Sequence, residues 1–354
     1  LRFVRGIIDS EDLPLNVSRE ILQQNRILTN IKSSSVKKLL SEFKKMAEKA
    51  EKAIKAQKDA GEGVEMSEEN KKAVENWQKF VENYNRPMKE GLYSDFANRD
   101  EIAEIIRFKS TAPEGTGENN WTSFADYVQR MKPEQKAIYY ITGNDEQNLR
   151  NSPLLEAYKN KGFEVLIMAD EIDDIVIPGY GKYKDFELKA VNRAGSDEEL
   201  GIDKKEAEKK EKEFKPVVEK IKNALGDKVK DVVLSKRLSE SPSCIVVDEN
   251  DPSLQMERMM KAMGQSTFGS VKPILEVNAD HPIIAKLKEK ELAVKPILEV
   301  NGDHALVGKV KDTDDAAYIE DVANVLLDQA LLVGGGEIAD PADFVKRMNR
   351  LLTK

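Results

Sequence analysis

The sequence predicts a multidomain protein of mixed α/β and α+β class. At 354 residues, the chain is long enough for two or three domains. Charged residues make up 34% of it and aromatic residues only 6%, a composition typical of helices with long solvated faces. A strand, a helix and a second strand follow one another over 136–168, which predicts a βαβ unit and therefore a small parallel sheet with helices on its faces.

The charge balance and the apolar runs exclude two classes of partner. The chain carries 64 acidic residues against 56 lysines and arginines, a formal net charge of −8. Because an acidic surface repels a phosphate backbone, we expect no nucleic acid partner. No apolar run approaches the roughly 18 residues of a membrane span, so we expect no membrane partner. The lone Cys244 permits no intramolecular disulfide and fits a reducing cytoplasm, and its apolar neighbours predict a buried, inert thiol.

The first third of the chain is predicted to be mostly helical. An amphipathic helix begins after Ser18, a plausible N-cap, and continues through 33–60. A second helix is expected to begin at Ser67 and to close near Pro87, which lacks a backbone donor. Residues 90–93 are then expected to form a loop.

The next elements surround a tryptophan. Residues 99–108 predict a short helix, and the Gly- and Pro-rich stretch 112–120 predicts a loop. Trp121 follows this loop and leads into a helix over 123–131. The polar residues before Trp121 favour an exposed indole, but the pattern is equally compatible with an indole in the core.

The predicted βαβ unit has strands over 136–141 and 165–168, and a third strand is expected over 185–191. The cluster 170–174 holds four acids in five residues. Carboxylate oxygens could bind a metal ion, but no glycine stands where a calcium loop needs its turn. We therefore expect a solvated acidic loop and no metal.

The C-terminal part contains a linker, a sheet and a repeat. A Lys- and Glu-rich run over 194–214 predicts a linker that passes into a helix, and we place the start of the last domain there. The β-rich segments 229–234 and 243–247 are expected to pair with each other. Residues 271–281 then recur at 294–304 with ten of eleven positions identical. Two copies are too few for a solenoid, so either copy is able to dock in the fold while the other must be accommodated.

The only two histidines, His281 and His304, are the paired ends of this repeat. A metal site would need more ligands nearby, whereas Pro282 suits the first position of a helix. We therefore expect a helix-cap role rather than metal binding.

Two amphipathic helices are predicted at the C-terminal end. The first runs over 313–332 with Thr313 as N-cap, a glycine triplet at 334–336 stops it, and Asp340 starts the second. Their apolar faces need a partner to cover them. The residues expected at that interface are Val322, Leu326, Phe344, Met348 and Leu351.

The stretch 10–25 combines features of a phosphate-binding loop. A polar turn precedes Ser18, and Arg19 and Gln23 lie four residues apart on the first turns of the following helix. A cation and an amide on one face beside a helix N-terminus suit a phosphate group. On spacing alone, an arginine that is merely solvated is the commoner alternative.

This stretch resembles the catalytic loop of the middle domain in the ninety-kilodalton heat-shock chaperone family, and its bacterial form most. The similarity continues in the same order along nearly the whole chain. The segments that carry it are Ser10–Asn25, Tyr139–Gly143, Phe163–Met168, Met256–Ala262 and Leu327–Leu331.

The resemblance implies an ATP-dependent molecular chaperone that acts on unfolded or partly folded client proteins as a cytoplasmic homodimer. Arg19 would contact the γ-phosphate of ATP, with Gln23 in the same loop, while a separate N-terminal domain holds the nucleotide. We expect the chain to start inside the middle domain and to need no cofactor and hydrolyse no ATP on its own. The alternatives are a passive helical scaffold and an independent enzyme built on the βαβ unit, which would lack a glycine-rich phosphate loop.

The resemblance also implies a domain layout. Residues 1–110 would be the end of the large α/β middle subdomain with a helical connector, 111–200 a small αβα subdomain, and 201–354 an α+β dimerisation domain with a terminal helix pair. Residues 49–65 look like added length relative to the family.

A methionine-rich helix follows the β-rich segments. Met256, Met259, Met260 and Met263 recur at i, i+3, i+4 and i+7 and so share one helical face. Flexible, polarizable thioethers fit many apolar partners, although ordinary core has the same spacing. The resemblance favours client binding, in which Trp121 is expected to take part.

Overall fold

The fold is mixed α/β, as predicted, and is built from helices and short strands. The chain divides into two compact units, Leu1–Met131 with Ile175–Leu188 and Lys132–Asp174 with Lys189–Lys354. The finer subdomain layout, with its boundaries at 110 and 200, stays a prediction. The computed structural model describes residues 1–9, 26–61, 65–112, 121–195, 200, 204–262, 271–289, 315–333, 338 and 340–353.

The elements of the described residues are named in chain order. The helices are α1 Arg26–Ala60, α2 Glu68–Ser94, α3 Arg99–Ile105, α4 Phe124–Arg130, α5 Glu146–Arg150, α6 Glu156–Lys161, α7 Asp173–Tyr180, α8 Lys204–Leu225, α9 Leu254–Ala262, α10 Pro282–Glu289, α11 Ala316–Val333 and α12 Pro341–Thr353. The strands are β1 Lys109–Ser110, β2 Ala137–Thr142, β3 Val165–Met168, β4 Lys182–Tyr183, β5 Phe186–Ala190, β6 Asp231–Leu234, β7 Ser243–Val246 and β8 Ile274–Val277.

The first unit is built on α1 and α2, which pack against each other. α1 buries Ala47, Ala50 and Ala53, whose spacing of three keeps them on one face. α2 begins where predicted, because the Oγ of Ser67 accepts a hydrogen bond from the backbone N of Asn70 at 3.3 Å and caps the helix.

α2 does not end near Pro87 but runs on through the expected loop. The prediction was wrong because the apolar period continues, with Met88 and Leu92 only 2% and 0% exposed. The Asn85 side chain also binds the backbone N and O of Arg107, at 2.8 Å each. This packing outweighs the one backbone donor that the proline lacks.

In the second unit, β2 and β3 form the predicted parallel pair, with Tyr139 opposite Val165 and Thr142 opposite Met168. Every residue of both strands is buried, as expected for a sheet whose faces are covered. α6 ends at Gly162, whose φ of 62° is the left-handed conformation that closes a helix.

The expected pairing of β6 with β7 is wrong. The strand order is β6–β8–β7, and β8 runs parallel to β6 and antiparallel to β7. β8 comes from the first copy of the repeat, for which no strand was predicted. It occupies the centre because Leu275 and Val277 are fully buried and Glu276 forms an ion pair with the buried Arg237. The second copy, 294–304, lies outside the described residues.

Two charge-rich segments are more regular than predicted. α8 begins at Lys204, inside the expected linker, because Phe214 and Val217 belong to a buried apolar face. The acidic cluster is not a solvated loop throughout, since α7 begins at Asp173, which is fully buried. The Asp173 carboxylate accepts a hydrogen bond from the backbone N of Asp170 at 3.3 Å.

Candidate functional site

Part of the predicted site lies outside the described residues. This holds for Arg19 and Gln23 of the catalytic loop, for Met263 of the methionine face and for Thr313, the expected N-cap. Their roles stay predictions. In the described part of the chain, no group of three or more His, Cys, Asp and Glu residues is placed to hold a metal ion. No helix described there combines the length and the apolar character that crossing a membrane requires.

The methionine-rich segment forms α9, as predicted. The Oγ of Ser253 accepts a hydrogen bond from the backbone N of Met256 at 3.0 Å, and the same hydroxyl donates to Oδ2 of Asp174 at 2.5 Å. Glu257 and Lys261 add an ion pair of 2.7 Å one turn apart. These contacts fix the start of the helix and the direction of its side chains.

The methionine face of α9 is not core. Met256, Met259 and Met260 are each half-buried, and no residue of α9 is fully buried. A core helix would bury its apolar stripe. A partly exposed row of thioethers is therefore available in a single chain to contact an apolar partner.

Another side of α9 lines a cleft of about 300 Å³ in the second unit. Gln255 and Arg258 contribute to it from the helix, and Asn192 and Arg193 from the segment that follows β5. Apolar side chains such as Leu149 line the same cleft. No pattern in the sequence predicted this cleft, because its lining residues come from separate segments of the chain.

Polar atoms of this cleft are buried without a hydrogen-bond partner among the described residues, namely Oε1 and Nε2 of Gln255, Nη2 of Arg258 and Oδ1 of Asn192. Such a group typically costs about 1–3 kcal/mol. Arg193, in contrast, donates from Nη1 to the carbonyl oxygen of Asp248 at 2.9 Å. The Gln255, Arg258 and Asn192 side chains therefore retain unused hydrogen-bonding atoms beside the cleft.

Trp121 belongs to the first unit and is half-buried. The Nζ of Lys109 lies 4.3 Å from the centroid of the Trp121 ring, a cation–π contact. The side chain therefore occupies neither of the two extremes that the sequence left open. Its joint role with the methionine face in client binding stays a prediction.

α11 and α12 pack against each other within one chain. Leu351 is 2% exposed, so this residue of the predicted interface already lies inside the helix pair. The side chain of Leu326 lies outside the described set. The cluster buries Tyr318, Val325 and Leu351, with Val322, Phe344 and Met348 partly buried against them.

Among the side chains of the helix pair that the structure describes, two large apolar ones remain exposed. Leu332 is 48% and Val345 is 53% exposed. Arg347 and Arg350 contact Asp321, and the Arg350–Asp321 pair is 2.6 Å apart. These ion pairs fix α12 against α11, so the exposed residues are presented from a defined surface.

A buried ion pair that was not predicted lies at the centre of the second unit. Nη2 of Arg237 is 3.0 Å from Oε1 of Glu276, and Oε2 of Glu276 accepts a hydrogen bond from the Ser235 hydroxyl at 2.8 Å. The Sγ of Cys244 is 3.7 Å from the same oxygen. Burial raises the pKa of the Cys244 thiol well above its usual value, and the predicted buried position of this cysteine is confirmed.

Glu156 binds the loop that precedes β7. Its carboxylate accepts hydrogen bonds from the backbone N of Ser239 at 2.6 Å, of Glu240 at 2.9 Å and of Ser241 at 3.1 Å. Burial acts to raise the pKa of Glu156, but the hydrogen bonds from Ser241, Glu240 and Ser239 outweigh it and hold this pKa below its ordinary value.

His281 has the predicted helix-cap role. Its Nδ1 accepts a hydrogen bond from the backbone N of Ile283 at 3.3 Å, and α10 begins at Pro282. Burial lowers the pKa of His281, which favours the neutral imidazole that accepts this bond.

The family model described as "Hsp90 protein" matches residues 1–295. The chaperone protein HtpG of Treponema denticola is 62% identical over the whole chain, and HtpG of Treponema pallidum is 51% identical over the whole chain. HtpG of Aliarcobacter butzleri is 45% identical, again over the whole chain.

In each of these relatives the matched region is 48% of the protein, so the chain spans about half the length of the curated relatives it matches. The family match covers well over half of the chain, and the order of elements α9, β8 and α11–α12 falls within the region shared with all three relatives. The chain belongs to the Hsp90 family.

Proposed function

We propose that this chain is the ATP-coupling, client-binding and dimer-forming half of a bacterial cytoplasmic molecular chaperone. The family match over residues 1–295 carries the proposal, supported by relatives that are named chaperones and align with the whole chain. The half-buried methionine face of α9 supports the client-binding part of it.

In this proposal, a separate N-terminal domain binds ATP, and Arg19 contacts the γ-phosphate, with Gln23 in the same loop. The guanidinium group stabilises the charge on the phosphoryl group that is transferred to water. Because the contact forms only when the two domains close, closure and hydrolysis are coupled. The chain alone is expected neither to bind ATP tightly nor to hydrolyse it.

Clients are unfolded or partly folded proteins, and their exposed apolar side chains contact Met256, Met259, Met260 and Met263. Thioether chains adapt to partners of different shape, which suits a surface that must accept many sequences.

A double substitution of Met259 and Met260 by Ser tests the client-binding surface. We expect the variant to suppress aggregation of a heat-unfolded model client less well than the parent, with almost unchanged Tm, because both residues are half-buried. Met131→Ser is the matched control, since Met131 is a half-buried methionine of the first unit.

A large drop in Tm would contradict the proposal if suppression were lost only in proportion to unfolding. Truncating a core methionine typically costs about 2–5 kcal/mol of folding stability. A core position and a client-binding position of these residues therefore predict different Tm values as well as different activities. Equal loss of suppression in Met131→Ser would also contradict it.

A further inference from the structure

The site of the central strand β8 in the three-stranded sheet is defined by contacts on every side. All four residues of β8 are buried, and Leu275 and Val277 have no exposed surface. β6 pairs with one edge of β8 and β7 with the other. Because both edges of β8 are paired and its side chains are buried, the sheet requires a strand of similar sequence at this position.

Polar contacts at the same site are specific for individual side chains. Glu276 pairs with Arg237 at 3.0 Å. Asn278 is 3% exposed and donates from Nδ2 to the carbonyl oxygen of Ser241 at 3.1 Å. Such buried, directional contacts select a carboxylate and an amide two residues apart.

The second copy of the repeat carries every one of these groups 23 positions later. Leu298 corresponds to Leu275, Glu299 to Glu276, and the residue that corresponds to Asn278 is Asn301. The single difference among eleven positions is Gly302 in place of Ala279. A missing methyl group is a small change in a segment that carries the same side chains at the other ten positions.

The similarity extends into the helix that follows. α10 places Ile284 in the core with no exposed surface, and Leu287 packs partly buried against the same cluster. The corresponding residues are Val307 and Val310, both apolar and both smaller. The segment 294–310 therefore presents the same apolar positions as 271–287.

We propose that the central-strand site, the space between β6 and β7 that β8 fills, is a binding site for residues 294–310 of the same chain as an alternative to residues 271–287. The exchange is compatible with the chain's connections. The helix equivalent to α10 would end at 312 and leave residues 313–315 before α11, and three residues lie within the usual 2–8 of a helix–helix connection.

The exchange changes the tether of α9. With the first copy bound, 11 residues (263–273) join α9 to the central strand, and with the second copy bound, 34 residues (263–296) do so. Because the cost of closing a loop rises only slowly with its length, the longer tether does not prevent the exchange.

Substitutions that disable one copy at a time test the proposal. Leu275→Asp and Leu298→Asp are each expected to lower the Tm of the chain by less than about 4 °C, because the other copy takes the site. The double variant is expected to lower it by more than about 10 °C, since every available central strand then carries a buried charge. A Leu275→Asp variant as unstable as the double variant would overturn the proposal.

A crosslink identifies the copy that is bound. Ser243 lies opposite Val277 in the β7–β8 register, and Val300 is the counterpart of Val277 in the second copy. In the Leu275→Asp background with Cys244 replaced by Ser, Ser243→Cys and Val300→Cys are expected to form an intramolecular disulfide under mild oxidation, found by peptide mapping. The version without Ser243→Cys is the control.

Absence of this disulfide would overturn the exchange. A disulfide found only between two chains, on a non-reducing gel at micromolar protein, would overturn the assignment to the same chain. Measuring the crosslink at two protein concentrations separates these outcomes, because an intramolecular bond does not depend on concentration.

Discussion

The buried Arg237–Glu276 pair gives the sharpest test of the packing around β8 in the second unit. The Arg237 side chain has no exposed surface and that of Glu276 is 5% exposed, so solvent does not screen the pair. Arg237 also donates from Nη1 to the carbonyl oxygen of Val191 at 2.6 Å. Replacing Arg237 by Met removes the cation that pairs with a buried carboxylate and leaves the Val191 carbonyl without this donor.

Breaking such a pair costs about 3–5 kcal/mol. One kcal/mol shifts the Tm of a unit of this size by about 2–4 °C, so Arg237→Met is expected to lower it by about 6–20 °C. Circular dichroism during thermal unfolding measures the shift.

Two controls bracket this result. Arg237→Lys keeps the charge but not the planar fork, so its Tm is expected between those of the parent and Arg237→Met. Lys272→Met breaks an exposed ion pair with Asp227 in the same unit and is expected to leave the Tm unchanged within error. A Tm for Arg237→Met within about 2 °C of the parent would refute the reasoning, since it would mean that the carboxylate is solvated or neutral.

The remaining predictions concern acid stability and association. The pKa of Glu156 is depressed in the folded state, so its contribution to stability is complete above its ordinary value of 4.5 and is lost as the pH falls through the folded pKa. Glu156→Gln should therefore lower the Tm at neutral pH and approach the parent in acid, and equal deficits at both pH values would contradict this. If the helix pair joins two chains through its exposed apolar surface, Val345→Asp should give monomers by light scattering at micromolar concentration with little change in Tm. Leu351→Asp should instead lower the Tm, because Leu351 is buried within one chain. A parent chain that is monomeric by light scattering would contradict the dimer.

Local signals in the sequence were sufficient for several elements. β3 was predicted at its observed bounds because its apolar run is short, begins directly after Glu164 and contains the β-branched Val165 and Ile167. The caps at Ser67 and His281 were predictable for a similar reason, since a capping side chain and the helix it starts are neighbours in sequence.

The errors share a physical cause, which is contact between residues distant in sequence. α2 continues past Pro87 because Asn85 binds Arg107, 22 residues away. β8 separates β6 from β7 because Glu276 meets Arg237, and neither residue suggests a buried position by itself. Propensity and turn signals describe local preferences, and tertiary packing overrides them at such points.

The candidate site was predicted in part. The methionine spacing correctly placed a helix at α9, and the half-buried state of its face could not be predicted, because burial depends on which elements surround it. Gln255 and Arg258 had no detectable pattern, since a cleft is formed by residues from several segments.

The central claim is that this chain supplies an arginine to ATP hydrolysis on another domain. The most direct measurement is steady-state ATPase activity together with ATP affinity in the full-length protein carrying Arg19→Ala. We expect kcat to fall at least about tenfold, less than the thousandfold or more that such an arginine supplies where chemistry limits turnover, while the ATP Kd stays within about twofold. Arg26→Ala, an exposed arginine at the start of α1, is the matched control and should keep full activity. Parental turnover in Arg19→Ala would contradict the account.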